Sequence, residues 1–400
     1  MPFCATRQVD GKTKHSMRII VLPLIALFTG CGGAGSTDIQ APPPTQLQTC
    51  ARQNCDPAWV SELHIDQWFW SAGTIYRETV MPLATADGTA PHFPLWRPVA
   101  TSSSVEVTQW ADGKVLADGT DYYLSNGQLV IPVGSSVKLA PHDYPFVADK
   151  NSAYANREFT KEGGPLLIGD YEPYQLQVTY ETDSQPASPL VAGSLPNFHQ
   201  KLAACAPIAI TYYGDSLMGV GTHTIPDLVG AYLSKLCPNQ ISYRNQSLPG
   251  YRSGDGATLA DQRLNDETSD VIVIAFGVND AATVPGGSVS AADYQNKISA
   301  IISTVRAKAP STEFVLVAAP EANSDWAFMD AERFPGYRDA LVQLEEQLQG
   351  VAVADVTTTW HDVVASKTFY DTTQNGVNHP NDFGVFLYTQ TLLKLLAGIP

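Results

Sequence analysis

The hydrophobic period changes partway along the chain, and that change limits what the chain can fold into. Up to about residue 182, short alternating runs are broken by turn signals. "SSVEVTQWADGKVLADGTDYYLSNGQLVIPVGSSVKL" carries Asp-Gly twice and Asn-Gly once, strong hairpin signals between alternating segments. "YQLQVTYET" (174–182) alternates cleanly, and "DSQPASPLVAGSLPN" (183–197) reads as a connector. Residues 50–196 are therefore expected to form an antiparallel β-sandwich. Beyond the connector, "PIAITYYG", "ISYRNQS", "DVIVIAFG", "TEFVLVAAP" and "GVAVADV" are apolar strand candidates. Between them "IPDLVGAYLSKL", "AADYQNKISAIISTVRAKA" and "YRDALVQLEEQLQ" have helical spacing, and "DFGVFLYTQTLLKLLAG" supplies a last helix. Strands alternating with helices predict an α/β domain over 197–400, a parallel sheet with helices on both faces. A length of 400 residues fits two domains better than one core.

The amino terminus reads as a targeting segment. From Met17, "MRIIVLPLIALFTGCGG" has one basic residue, an apolar run too short to span a bilayer, and small residues before Cys31. Residues 1–31 are read as a signal peptide of lipoprotein type starting at Met17, with Cys31 the lipidated residue and the mature chain exported. Contact with a membrane would then come only through a lipid anchor. Residues 32–49, small, polar and Pro-rich, read as a linker. The formal charge of −16 argues against a nucleic-acid partner, which would select a basic footprint. Cys50, Cys55, Cys205 and Cys237 are an even set of cysteines, read as disulfide candidates in an oxidising compartment. Cys50 with Cys55 would close a small loop; Cys205 precedes the first strand of the later domain and Cys237 ends its first helix, which would put both at the bottom edge of one sheet. No C-x-x-C or histidine cluster suggests a metal site.

Functional groups gather at the carboxyl ends of strands in an open α/β sheet. Three predicted strands end in unusual polar sequence: Gly214-Asp215-Ser216-Leu217, "ISYRNQSLPG" leading to Gly250, and Gly277-Val278-Asn279-Asp280. "NGVNHPNDFG", with His379, stands just before the last helix. A serine hydroxyl attacks an acyl carbon once a histidine accepts its proton, and the same imidazole then protonates the leaving group. The tetrahedral oxyanion needs preorganised donors. The Ser216 N–H, the Gly250 N–H and the Asn279 amide would meet around one point if the three strand ends are neighbours. Asp215 and Asp280 are expected to brace their loops by local hydrogen bonds.

These motifs, in the order "GDSL", "NQSLPG", "GVND" and "NHPND", resemble the GDSL or SGNH hydrolase family over residues 205–398. The resemblance implies a flavodoxin-like fold for the second domain, Ser216 as nucleophile, His379 as base, and Gly250 with Asn279 in the oxyanion hole. It implies an ester substrate and no cofactor. One position departs from the family pattern: three residues before the histidine, where an aspartate usually holds the imidazole, stands Gly376. Asp371 reaching back, or a serine–histidine dyad, would take its place.

The attached half carries Trp59, Trp68, Trp70, Trp96 and Trp110. Exposed, they would suit sugar rings, and some carbohydrate esterases resemble this plan of a sandwich before an SGNH domain; buried, they would fill the sandwich core. The spacing of Trp68 and Trp70 places both on one face if that stretch is a strand. The chain is thus read as an exported serine esterase, with O-acetylated carbohydrate the leading substrate. A lipase, lysophospholipase or O-acyltransferase would use the same site, and a non-catalytic glycan-binding surface protein is the reading from another class.

Overall fold

The computed structural model describes residues 48–49, 55–71, 73–100, 105–152, 154–265 and 269–399. The signal-peptide reading, the lipidation residue Cys31 and the pairing partner Cys50 lie outside the described residues. In the first half the elements are β1 (Gln48–Thr49), α1 (Trp59–Glu62), β2 (Thr74–Val80), β3 (His92–Pro94), β4 (Glu106–Gln109), β5 (Tyr123–Ser125), β6 (Gln128–Val130), β7 (Leu176–Glu181) and β8 (Val191–Gly193). The second half runs α2 (Pro196–Ala203), β9 (Ile208–Gly214), α3 (Ile225–Leu236), β10 (Ile241–Asn245), α4 (Ser253–Arg263), β11 (Val271–Ala275) and α5 (Ala291–Arg306). It ends with β12 (Glu313–Ala318), α6 (Arg333–Gln347), β13 (Val351–Asp355), α7 (Val356–Val364), α8 (Phe369–Thr372) and α9 (Asp382–Leu396).

The strands of the second half form a parallel sheet in the order β10-β9-β11-β12-β13. This is the flavodoxin-like order, in which the first strand of the unit lies inside the sheet. Every residue of β9, β11, β12 and β13 is buried, because helices cover both faces and leave no side for polar alternation. Helix α3 packs on α9, while α4, α5 and α6 pack in succession. A disulfide joins Cys205 and Cys237, just before β9 and β10, at the amino ends of those strands.

The first half forms two three-stranded antiparallel sheets, β2-β7-β4 and β3-β6-β5. They share one apolar cluster, with Ile75, Val107 and Val178 from one sheet and Leu129 from the other. Asn126 and Gly127, both at positive φ, make the two-residue turn between β5 and β6 that an Asn-Gly pair favours. Phe383 and Leu387 of α9 enter the same cluster. All described residues accordingly belong to one compact unit.

Three stretches differ from their sequence reading. Val191–Gly193, inside the expected connector, is an edge strand antiparallel to β13, and β1 pairs antiparallel with β10 at the opposite edge. Both are too short to show a period, yet each occupies backbone donors and acceptors that an open sheet edge would leave unpaired. Trp68 and Trp70 lie in a turn rather than a strand, with their rings stacked 5.4 Å apart.

The two halves are joined by a buried ion pair. Lys367 Nζ lies 2.8 Å from Glu78 Oε1, and both side chains are almost wholly inaccessible. Glu78 also accepts from the Trp96 N–H (2.9 Å) and the Tyr180 hydroxyl (2.5 Å), and Lys367 donates to the Pro94 carbonyl. Removing one partner leaves the other charge buried, which typically costs about 3–5 kcal/mol. Lys367→Ala should therefore lower the unfolding free energy by that amount in a urea titration. A loss below roughly 1 kcal/mol would show that the pair is not holding the halves together.

Candidate active site

The strand order brings the three polar strand ends side by side, since β9 lies between β10 and β11. Gly214 ends β9 where a Cβ would fall 2.2 Å from the Ala275 carbonyl oxygen, so only glycine lets β9 and β11 run this close. The Asp215 carboxylate accepts from the Leu217 N–H at 3.0 Å and caps a single 3₁₀ turn, Ser216–Gly219. Asn245, ending β10, donates to the Met218 carbonyl at 2.8 Å and ties that turn to the neighbouring strand. Ser216 is thereby presented at the sheet's carboxyl edge with its side chain partly exposed.

His379 arrives from a short hairpin ahead of α9. Thr373 pairs with Pro380, the Gln374 N–H donates to the His379 carbonyl at 2.9 Å, and the Asn381 N–H donates to the Thr372 carbonyl. The Asn375 side-chain oxygen accepts from the N–H groups of Val377, Asn378 and His379, which closes the tip. The outcome is a contact of 3.0 Å between Ser216 Oγ and His379 Nε2. Burial pushes the His379 imidazole down to about 4, so at neutral pH it is an uncharged base within reach of the serine proton.

Asn279 follows β11 and donates to the Tyr251 carbonyl at 3.1 Å, and among the described residues its second amide hydrogen has no acceptor. That bond fastens the loop after β10 that carries Gly250, which is exposed at positive φ. Among the described residues, neither the Ser216 nor the Gly250 N–H has a protein acceptor. Asp280 accepts from the Ser253 N–H and hydroxyl, and so braces the start of α4 rather than facing the serine. Burial holds Asp280 above the usual carboxylate range and pushes Asp215 up to about 8.

Asp371 is committed elsewhere: its oxygens accept from the Met81 N–H (2.6 Å) and from the Thr368 N–H and hydroxyl (each 2.8 Å). Gly376 cannot be replaced by an acid at no cost, because its φ is +77° and a Cβ there would lie 2.6 Å from the Tyr171 ring. Among the described residues no carboxylate is hydrogen-bonded or ion-paired with the imidazole. The pair is a dyad.

The first half reaches this region too. Asp382, the first residue of α9, accepts from the Thr222 N–H (2.9 Å) and hydroxyl (3.0 Å) and from the Trp110 indole N–H (3.0 Å). Trp59 lies against His223, ring centroids 4.1 Å apart. Trp70 and Trp96 are buried, and Trp59, Trp68 and Trp110 are partly buried, so none of the five is the freely exposed platform that sugar binding by the sandwich alone would use. Among the described residues no cluster of metal-ligating side chains occurs, and no helix is long and apolar enough to cross a membrane.

Residues 211–385 match the model of the GDSL-like Lipase/Acylhydrolase family. The chain carries a GDSL-like acylhydrolase domain. It is accordingly an ester-bond hydrolase. Similar solved structures include a lipase/acylhydrolase from Enterococcus faecalis (18% identity, 48% of this chain and 96% of that one, TM-score 0.40). An α/β hydrolase from the metagenome of Lake Arreo, Spain, is 16% identical over 49% of this chain and 97% of its own, with a TM-score of 0.42. An acetylxylan esterase from Geobacillus stearothermophilus, solved as a catalytic mutant, is 14% identical over 48% and 94%, with a TM-score of 0.41. No curated protein sequence matches the chain.

The lowered histidine sets the pH behaviour of the acylhydrolase. Depression of its pKa keeps the basic, neutral form populated to lower pH, so kcat/KM for a simple ester should stay level down to about pH 5 and halve near pH 4, where His379 takes its proton. An acid limb centred near 6.5, the ordinary histidine value, would show that burial does not govern the base.

Proposed function

We propose that the chain is an exported serine esterase acting through an acyl-serine intermediate, with O-acetylated carbohydrate as its substrate class. The observation that carries the serine mechanism is the 3.0 Å contact between Ser216 Oγ and a neutral His379. Ser216 Oγ attacks the acyl carbon as its proton passes to Nε2. The developing oxyanion is met by the N–H groups of Ser216 and Gly250 and the second amide hydrogen of Asn279. Collapse of this intermediate expels the alcohol, which takes the proton back from the imidazolium. Water then repeats the sequence on the acyl-serine and releases the acid.

The carbohydrate reading rests on two tryptophans that the first half places beside the catalytic loops. Trp110 is held on Asp382, three residues after His379, and Trp59 lies on His223, seven residues after Ser216. A sugar ring offers flat C–H faces to such rings and hydroxyls to the neighbouring Thr222 and Asp382. A second reading, a lipase for longer acyl chains, is favoured by exposed Val284 and Phe159. Val284 lies in the loop after Asn279, and Phe159 pairs with the segment that backs that loop.

Ser216→Ala and His379→Ala should each cut turnover of p-nitrophenyl acetate by about a thousandfold or more with folding intact. Comparison of acetate, butyrate and octanoate separates the two substrate readings, the carbohydrate esterase preferring acetate. Retained activity in either variant would sink the dyad.

Export and lipidation at Cys31 complete the proposal. The Cys205–Cys237 bond supports an oxidising compartment, where such bonds persist. A chain expressed in a bacterium should incorporate labelled palmitate, and Cys31→Ser should abolish the label. Equal labelling of both would refute lipidation at that residue.

A further inference from the structure

Resting on the reading of Ser216 and His379 as the catalytic pair, we infer that Gln175 and Tyr171, from the β-rich half, are positioning residues for His379. They hold the histidine hairpin from outside, the task that a side-chain acid at position 376 would perform from within. Gln175 is buried, and its amide is fully used on that hairpin and the turn before it. Nε2 donates to the carbonyls of Tyr370 (2.7 Å) and Thr373 (3.0 Å), and Oε1 accepts from Asn381 Nδ2 at 3.2 Å. One side chain thus ties the first arm of the hairpin to the second, two residues past His379. Asn381 extends the link by donating to the Asp371 carbonyl and accepting from the Gly384 N–H at the start of α9.

Tyr171 acts on the other side of the same loop. Its N–H donates to the Gln374 carbonyl at 3.0 Å, and the Gln374 N–H in turn donates to the His379 carbonyl. Its ring fills the space that a Cβ on Gly376 would enter, and it is stacked on Tyr370 with centroids 5.4 Å apart. The hydroxyl is anchored on the Leu167 carbonyl, so the ring is fixed at both ends. Gln175 is itself held by its main chain: its N–H donates to the Glu172 carbonyl, and its carbonyl accepts from the Trp110 N–H. A neutral imidazole with no acid partner depends on its backbone for its position, and a shift of about 1 Å in a catalytic group can cost a hundredfold in rate.

The test uses the full chain and three variants, with kcat, KM and Tm measured on p-nitrophenyl acetate at 15 °C. Gln175→Met keeps the length and removes the hydrogen bonds; Gln175→Asn keeps the amide and shortens it. Asp362→Asn breaks a junction contact to Trp96 and Arg97 away from the hairpin. The inference expects kcat of Gln175→Met to fall about tenfold or more with KM within about twofold, and Gln175→Asn to fall less. Asp362→Asn should lower Tm and leave kcat unchanged. A Gln175→Met kcat within about twofold of wild type, or an equal fall in Asp362→Asn, would overturn the inference. Should Gln175→Met not fold, Gln175→Asn decides: a kcat drop of about threefold or more with KM unmoved supports the role, and an unchanged kcat overturns it. An active wild type with an inert Ser216→Ala variant keeps the catalytic reading whatever Gln175 does, so the two failures are told apart.

Discussion

The contact between Ser216 Oγ and His379 Nε2 joins segments 163 residues apart, and most of the fold serves to make that contact at 3.0 Å. On the serine side, the constraint is the close approach of β9 to β11, which the absent side chain of Gly214 permits. On the histidine side it is the hairpin 372–381, which α9 carries. Helix α9 packs on α3, which follows the Ser216 turn, so the two halves of the contact share one helix pair. The flavodoxin-like order then puts Asn279 and Gly250 in the loops that follow the strands either side of β9, and the Asn279 bond to the Tyr251 carbonyl ties those loops together.

The electrostatics of the site follow from how dry it is. The same burial that lowers His379 to about 4 raises Asp215 to about 8, so near neutral pH both are uncharged. In the proposed mechanism, attack by Ser216 creates charge in a site that held little, an imidazolium and an oxyanion formed together. In a medium of low dielectric, their mutual attraction is stronger than in water, and fixed N–H dipoles need not reorganise to receive the oxyanion. A carboxylate beside the imidazole would further stabilise the cation, at the expense of burying another charge. The proposed Ser216–His379 dyad would do without both effects, which leaves orientation as the property the protein must supply.

Much of this was legible in the sequence because the signals are local. A run such as "DVIVIAFG" is apolar at every position because it is buried on both faces, and the Asn-Gly turn between β5 and β6 follows from backbone sterics at two residues. The four site motifs lie at strand ends or before a helix, where a change of period marks them. Tyr171 and Gln175 had no such mark. The bonds of Gln175 span 195 to 206 positions, and a glutamine opening an alternating strand looks like any solvent-facing polar residue. The edge strand β8 was missed for a related reason: three residues of Val, Ala and Gly carry no period, and only the open edge of β13 makes them a strand. The tryptophans were ambiguous because burial depends on what the other half covers, which a pattern within the first half does not encode.

The first half is better described as part of the catalytic body than as an appended module. Its apolar cluster is incomplete without Phe383 and Leu387 of α9, and its Glu78 would be a buried unpaired charge without Lys367. That mutual dependence has a consequence for specificity. In the proposed mechanism the dyad and its donors act on the acyl carbon, so discrimination between alcohols would come from the walls around it. Trp110 is fixed to Asp382 and Trp59 lies on His223, each beside a loop that carries a proposed catalytic residue. A change in the first half that moved either ring would alter substrate choice through the same body that holds His379 in place. On the proposed reading, specificity and catalytic geometry are therefore coupled by packing in this chain.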